Sequence, residues 1–206
     1  AVRGHAAEFG VIAAKNISKL PGLLETVAAA ETVPATAKEM LAFLGIQVAQ
    51  LDEQIAELER RMKQQHKANP VSQLLAEVPG IGPISGLSLA LTIDPGRFQS
   101  GRHFAAWLGL TPKEHSTGGR QRLGGISRAG NERLRQLLVL GATTVIRFAK
   151  PGSKSPSAWL LALLERKPRK LAAVALANKM ARIVWAMMAT GEAYWDSRTV
   201  ATQAAG

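Results

Sequence analysis

The strongest constraint on this chain is a three-four apolar repeat. Between Pro34 and Asn69-Pro70, the residues Leu41, Leu44, Val48, Leu51, Ile55, Leu58 and Met62 recur at alternating spacings without interruption. A strand would scatter these side chains over both faces, whereas a helix gathers them into one stripe. The spacing therefore predicts a single helix over 35–67. Val48 and Ile55 share one seam position while Leu44, Leu51 and Leu58 share the other, the arrangement that favours two parallel strands of a coiled coil. A homodimer through Leu44, Val48, Leu51, Ile55 and Leu58 is the expectation. The competing arrangement packs the seam on another helix of the same chain, and Gly45 and the sparse complementary charge beside the seam favour it.

The remaining pattern is also helical. Residues 5–30 read as one or two short helices interrupted at Pro21-Gly22. After Asn69-Pro70 come a helix over 71–77, a glycine turn, a second helix, and a turn at Asp94-Pro95-Gly96. Short helices over 100–108 and 159–166 and longer ones over 131–148 and 168–190 follow, separated by a glycine-rich loop to Gly130 and a Pro/Gly/Ser/Lys loop over 150–157. No strand and no internal repeat is expected. The fold class is all-α, with a helical linker and coiled coil over 1–70 and a second helical domain over 71–206.

Charge divides the chain unevenly. Of 26 Lys and Arg and 15 Asp and Glu, residues 97–182 hold 17 basic and three acidic side chains, leaving +14 there and −3 elsewhere. A polyanionic partner is expected for the C-terminal half. The chain has no cysteine, which excludes disulfides and thiolate metal sites. The apolar run 171–188 is interrupted by Asn178, Lys179 and Arg182, so it is expected to be a buried helix with a charged stripe and no membrane partner. The opening Ala1-Val2-Arg3-Gly4 has neither an initiator Met nor a signal-peptide block, and suggests a piece of a longer protein.

Two segments could carry chemistry. In Pro79-Gly80-Ile81-Gly82-Pro83, Gly80 and Gly82 permit a tight turn into a helix whose first amides can hold phosphate. The pattern resembles a helix-hairpin-helix motif, and an unliganded helix-helix turn fits it equally. The loop 113–130 places Gly118, Gly119, Gly124 and Gly125 with Arg120, Arg122 and Arg128 around Ser116, Thr117 and Ser127. Glycines let amides approach a phosphodiester, arginines offset its charge, and a hydroxyl stands within reach of phosphorus. By composition alone, a solvated basic loop without chemistry is the simpler account. Ser127 also fits a helix-entry cap. His115 is a weak candidate base, and His103 is expected against Trp107. Lys170, Lys179 and Arg182 are candidate phosphate contacts, and Trp159 and Trp195 candidate base-stacking groups. No histidine or carboxylate spacing supports a metal site.

Leu75-Ala76-Glu77-Val78-Pro79-Gly80-Ile81-Gly82-Pro83, Arg97-Phe98, Ala105-Ala106-Trp107-Leu108-Gly109-Leu110-Thr111-Pro112, His115-Ser116-Thr117-Gly118-Gly119 and Gly125-Ile126-Ser127-Arg128-Ala129-Gly130-Asn131 with Leu134-Arg135 together resemble one family. It is the insertion sequence 110 transposases, in particular their 1111 subgroup, relatives of Piv-type DNA invertases. The match covers about 71–190, and 1–70 resembles the family's helical linker.

The resemblance implies a DNA recombinase guided by a structured bridge RNA and built from dimers, with tetramers an open extension. It also implies a RuvC-like acidic domain that binds Mg²⁺ and acts with a serine of the C-terminal serine transposase domain, forming a phosphoserine link to DNA. Residues 1–70 show no such acidic constellation, so this chain is expected to be half of an active site and inactive alone. Family members commonly place the serine directly before glycine, where this chain has Thr117. Ser116 is the expected nucleophile and Thr117 the alternative. DNA and RNA contacts are expected at Gly80, Gly82, Gly118, Gly119, Arg120, Arg122, Arg128, Lys170 and Lys179. The protein would be prokaryotic, cytoplasmic and nucleoid-associated. The rival function is a non-catalytic helix-hairpin-helix nucleic-acid-binding and dimerisation module.

Overall fold

A computed structural model describes residues 2–115, 117, 122–149 and 157–194. Ser116, Gly118, Gly119, Arg120 and Trp195 lie outside the described residues. The chain divides into two compact units, Ala1–Arg61 and Met62–Gly206, and the boundary falls inside the long helix. The described residues are mainly helical.

In the first unit, α1 (Val2–Glu8) is followed by a 3₁₀ turn (Ile17–Lys19), α2 (Leu20–Ala29) and the start of α3 (Ala35–Ala68). Pro21 does not break a helix here. It occupies the first turn of α2, where its missing N–H costs no hydrogen bond. Ala6, Val11, Leu23, Val27, Val33 and Leu41 form the unit's core. Gly45 leaves room for Leu24, whose side chain stands where a Cβ would be. Farther along α3, Glu57 accepts bonds from Arg60 and Arg61 at 2.6–2.8 Å, and their guanidinium groups, Arg61 foremost, hold its carboxyl below the usual range.

The second unit begins in the last turns of α3. Asn69 caps α4 (Pro70–Leu75) by accepting the Ser72 amide at 2.8 Å, and the buried Ser72 hydroxyl meets His66 Nδ1 at 2.8 Å. A tight turn leads to α5 (Pro83–Thr92). A 3₁₀ turn (Pro95–Arg97) and α6 (Gly101–Trp107) follow, then β1 (Pro112–Glu114), β2 (Leu123–Ile126), α7 (Glu132–Phe148), α8 (Ala158–Arg166) and α9 (Arg169–Thr190). The strands are antiparallel, with Pro112 opposite Ile126 and Glu114 opposite Leu123. They replace the strandless loop expected from sequence. Three- and four-residue strands containing Gly124 and Gly125 carry no apolar alternation by which to recognise them.

α9 is the axis of this unit, packed on α6, α7 and α8. Its buried face is largely alanine, with Ala172, Ala173, Ala177 and Ala181 joined by Met180, Val184 and Met187. Small side chains let neighbouring backbones approach. Gly101 is one such point, since a Cβ there would stand 3.0 Å from the Arg182 carbonyl. Around α9 gather Leu75, Leu89, Phe104, Leu108, Leu134, Leu138 and Leu160, all essentially inaccessible. Among the described residues α9 alone is a helix long and apolar enough to cross a membrane, but this burial makes it the central helix of a packed unit.

Candidate nucleic-acid interface

The glycine-rich region from Gly109 to Asn131 is held by a backbone crossing at its base. Just past the end of α6 stands Gly109, whose amide bonds to the Ala106 carbonyl at 2.9 Å while Leu110 N–H bonds to the Ala105 carbonyl at 3.0 Å. The returning chain lies directly on this helix end, with Arg128 N–H to the Gly109 carbonyl at 3.2 Å and Ser127 N–H to Thr111 at 2.8 Å. Gly130 has a φ of 68°, and a Cβ there would collide with the Trp107 carbonyl. Only glycine satisfies both conditions.

Arg135 fastens the crossing. Projecting from the first turn of α7, its Nη1 donates to Leu108 O at 3.1 Å and Ala129 O at 2.8 Å, and the residue is 8% exposed. One guanidinium thus joins the C-terminal end of α6, where carbonyl oxygens concentrate negative charge, to the strand that returns over it. β1 and β2 rise from this buckle. Across them His115 N–H bonds to the Arg122 carbonyl at 2.8 Å, and the His115 ring lies against Gly124. Asn131 is the cap of α7, accepting the Leu134 amide at 3.0 Å. Ser127 therefore does not cap that helix, and its hydroxyl accepts the Ala129 amide at 3.5 Å.

Beside the ribbon runs a groove of about 1660 Å³, walled by α6, the ribbon, α8 and α9. That volume exceeds the few hundred to about 1,000 Å³ of small-ligand pockets and suits an extended polymer. Arg102, Arg128, Lys167, Lys170, Lys179 and Arg182 line it, with no Asp or Glu among the lining residues. Among the described residues, no carboxylate is within ion-pair distance of these six. Arg128 is held at φ 56°, a conformation that non-glycine residues adopt at a cost. The Arg128 N–H bond to Gly109 helps hold it there. Leu171, Val174 and Ile183 supply an apolar floor, and Trp159 and Trp185 also line the groove. Trp185 uses its indole N–H on the Pro95 carbonyl at 3.2 Å. Lys179 Nζ lies 4.4 Å from the Trp159 ring centroid.

Of the residues expected to contact nucleic acid, Arg128, Lys170 and Lys179 meet in this groove together with Arg182. Arg122 and Thr117 are exposed and do not line it. Gly80 and Gly82 lie elsewhere in the unit, at the turn between α4 and α5. Gly80 has a φ of 92° and packs into α7, where a Cβ would be 2.8 Å from the Gly141 carbonyl. Gly82 faces open space and begins α5 without a side-chain cap. His103 is exposed and packs edge-on to Phe98 at 5.7 Å, whereas Trp107 contacts Phe98 and Phe104. The expected His103–Trp107 pair is thus replaced by two contacts with Phe98.

Sequence reasoning missed Arg102 and Lys167 as groove cations and Arg135 as the fastener. Arg135 did leave a signal. With Leu138, Ala142 and Ile146 it lies on the buried stripe of α7, where a charged residue must have buried acceptors.

Comparison with known proteins places the segment in a family context. Residues 72–157 match the model of the transposase IS116/IS110/IS902 family, a span that contains the α4–α5 turn, the buckle and the ribbon. The chain is 50% identical over 94% of its length to a Sinorhizobium fredii protein named as a transposase, covering 51% of that protein. It is 45% identical over 94% of its length to a Pseudomonas aeruginosa protein named as a family 20 transposase, covering 58% of it. Against the transposase for insertion sequence element IS1111A of Coxiella burnetii, the identity is 36% over 94% of this chain and 54% of that protein. The chain spans about half the length of these curated relatives. By sequence it is a relative of the IS116/IS110/IS902 transposases, matched to their family model across the segment that builds the buckle and the ribbon.

Proposed function

We propose that this chain is the DNA-handling part of a transposase, a DNA recombinase, and that it supplies the hydroxyl nucleophile for strand cleavage and exchange. The observation that carries this reading is the acid-free groove lined by six cations beside a ribbon whose connecting segment contains Ser116 and Thr117. Ser116 is the proposed nucleophile, with Thr117 the alternative. Its oxygen would form a bond to DNA phosphorus as a sugar oxygen leaves, giving a phosphoserine link. Arg120, Arg122 and Arg128 would offset phosphate charge, and Gly118 and Gly119 would let backbone approach it.

Among the described residues, no three of His, Asp and Glu stand close enough to hold a metal ion. The proposed Mg²⁺ belongs to an acidic domain outside these 206 residues. A structured guide RNA is the proposed second polyanion, and a homodimer through the α3 seam the proposed assembly, in a cytoplasmic, nucleoid-associated setting.

The test replaces Ser116 and Thr117 singly by alanine in the whole protein that carries this chain and scores covalent protein–DNA adducts. Loss with Ser116→Ala alone is expected. Loss with Thr117→Ala alone transfers the role to Thr117, and retention in both variants and in the double variant leaves a non-catalytic nucleic-acid-binding module.

A further inference from the structure

Inside the basic groove, one aromatic side chain stands apart from the core. Trp159, the second residue of α8, is 39% exposed, and the Lys179 ammonium faces its ring at 4.4 Å. We infer that Trp159 is a stacking platform for an unpaired nucleobase, with Lys179 as a mobile counter-charge that leaves the ring for the adjoining phosphate when the base arrives. This rests on the proposed nucleic-acid role of the groove and specifies which form of nucleic acid it takes.

Three features select an unpaired strand. The lining combines cations with the apolar Leu171, Val174 and Ile183, so phosphates and base faces both find partners. Paired bases in a duplex hide their faces by stacking on one another, whereas a single strand can offer a face to an indole. The cation on Trp159 is also held weakly, because a partly exposed cation–π contact contributes little against water. Exchange of ammonium for base keeps the ring covered and moves a positive charge to a phosphate. Lys170 and Arg182 stand in the same groove and can bind the neighbouring phosphates. DNA and RNA share this chemistry, so the inference concerns the unpaired base and either polymer can supply it.

The test measures binding of the full chain to labelled oligothymidylate and oligouridylate of about twelve nucleotides, and to the duplex of the same DNA strand. Trp159→Ala should weaken single-strand binding roughly 5- to 150-fold while changing duplex binding less than about twofold. Trp159→Phe should retain most of the affinity. Lys179→Met should make the single-strand salt slope shallower by about 0.7, one phosphate contact. Equal weakening of duplex and single strand by Trp159→Ala, or no weakening of either, overturns the stacking site and leaves the general role intact. No binding of any probe by the parent chain removes the proposed function and this inference together. The DNA and RNA arms identify the source, and preference for either supports the site. Should Trp159→Ala fail to fold, a 2-aminopurine substituted into the strand gives the readout on the parent chain. Its fluorescence should fall on binding through stacking, and no change overturns the proposal.

Discussion

Arg135 carries its charge to a place that water scarcely reaches, and two carbonyl oxygens are its recorded acceptors. Truncation would leave the Leu108 and Ala129 oxygens without the donor that joins them. Charge-assisted hydrogen bonds contribute about 1.5–3 kcal/mol each, so Arg135→Met, which removes two, should lower unfolding free energy by about 3–6 kcal/mol in urea titrations. A Lys ammonium is more strongly hydrated and costs more to bury than a guanidinium, so Arg135→Lys should recover only part of the loss. A change below about 1 kcal/mol would show that the two carbonyls are satisfied without the guanidinium. Gly130 presents the steric side of the same device. Gly130→Ala adds a left-handed penalty of about 1–3 kcal/mol to a collision with the Trp107 carbonyl. Its thermal unfolding should fall well below that of Gly125→Ala, because a Cβ at Gly125 meets open space.

The apolar stripe of α3 changes character along its length. Leu41 is buried by the N-terminal unit, whereas Leu51, Ile55 and Leu58 are 56%, 54% and 59% exposed. Three large aliphatic side chains at seam spacing on one helix form a natural surface for a second α3. If the proposed homodimer forms, the double variant Leu51→Glu/Ile55→Glu should sediment as a monomer at concentrations where the parent chain dimerises. A parent that remains monomeric at about 100 μM, an affinity worth only about 5 kcal/mol, would remove the seam as a dimer contact. This helix was legible in the sequence because its spacing is periodic and Asn69-Pro70 stops it. The starts of α6 and α7 fall where the helical pattern placed them, but their caps are Ser100 and Asn131 and not the Ser127 that the sequence suggested. The ribbon was not, because β1 and β2 are held by their crossing over α6, a contact distant in sequence that no local pattern encodes. The same reason hid the groove, whose cations come from α6, the segment after β2, the turn between α8 and α9, and α9 itself. Charge counting located the basic half of the chain but not the side chains that share one wall.

At the scale of the whole chain, the surplus of +11 is less informative than where its unpaired portion gathers. Six groove cations without a carboxylate among the lining residues would make counterion release the main source of affinity in the proposed binding of duplex DNA. Each phosphate contact adds about −0.9 to the slope of log K against log salt. Engagement of all six should give a slope of about −5, and each of Lys170→Ala and Arg182→Ala should make it shallower by about one. Arg60→Ala provides the contrast. That side chain already pairs with Glu57 and belongs to the other unit, so its loss should leave the slope unchanged. Equal effects of all three variants would mean that binding follows net charge and that the groove has no privileged role. A shallow slope in the parent chain, near −1 or −2, would mean that most of these cations never meet phosphate. If Lys170 and Arg182 change the slope and Arg60 does not, binding is confined to the wall that α9 presents. The alanine face of α9 then sets the spacing of these charges, because it fixes how closely α9 packs on α6 and α7.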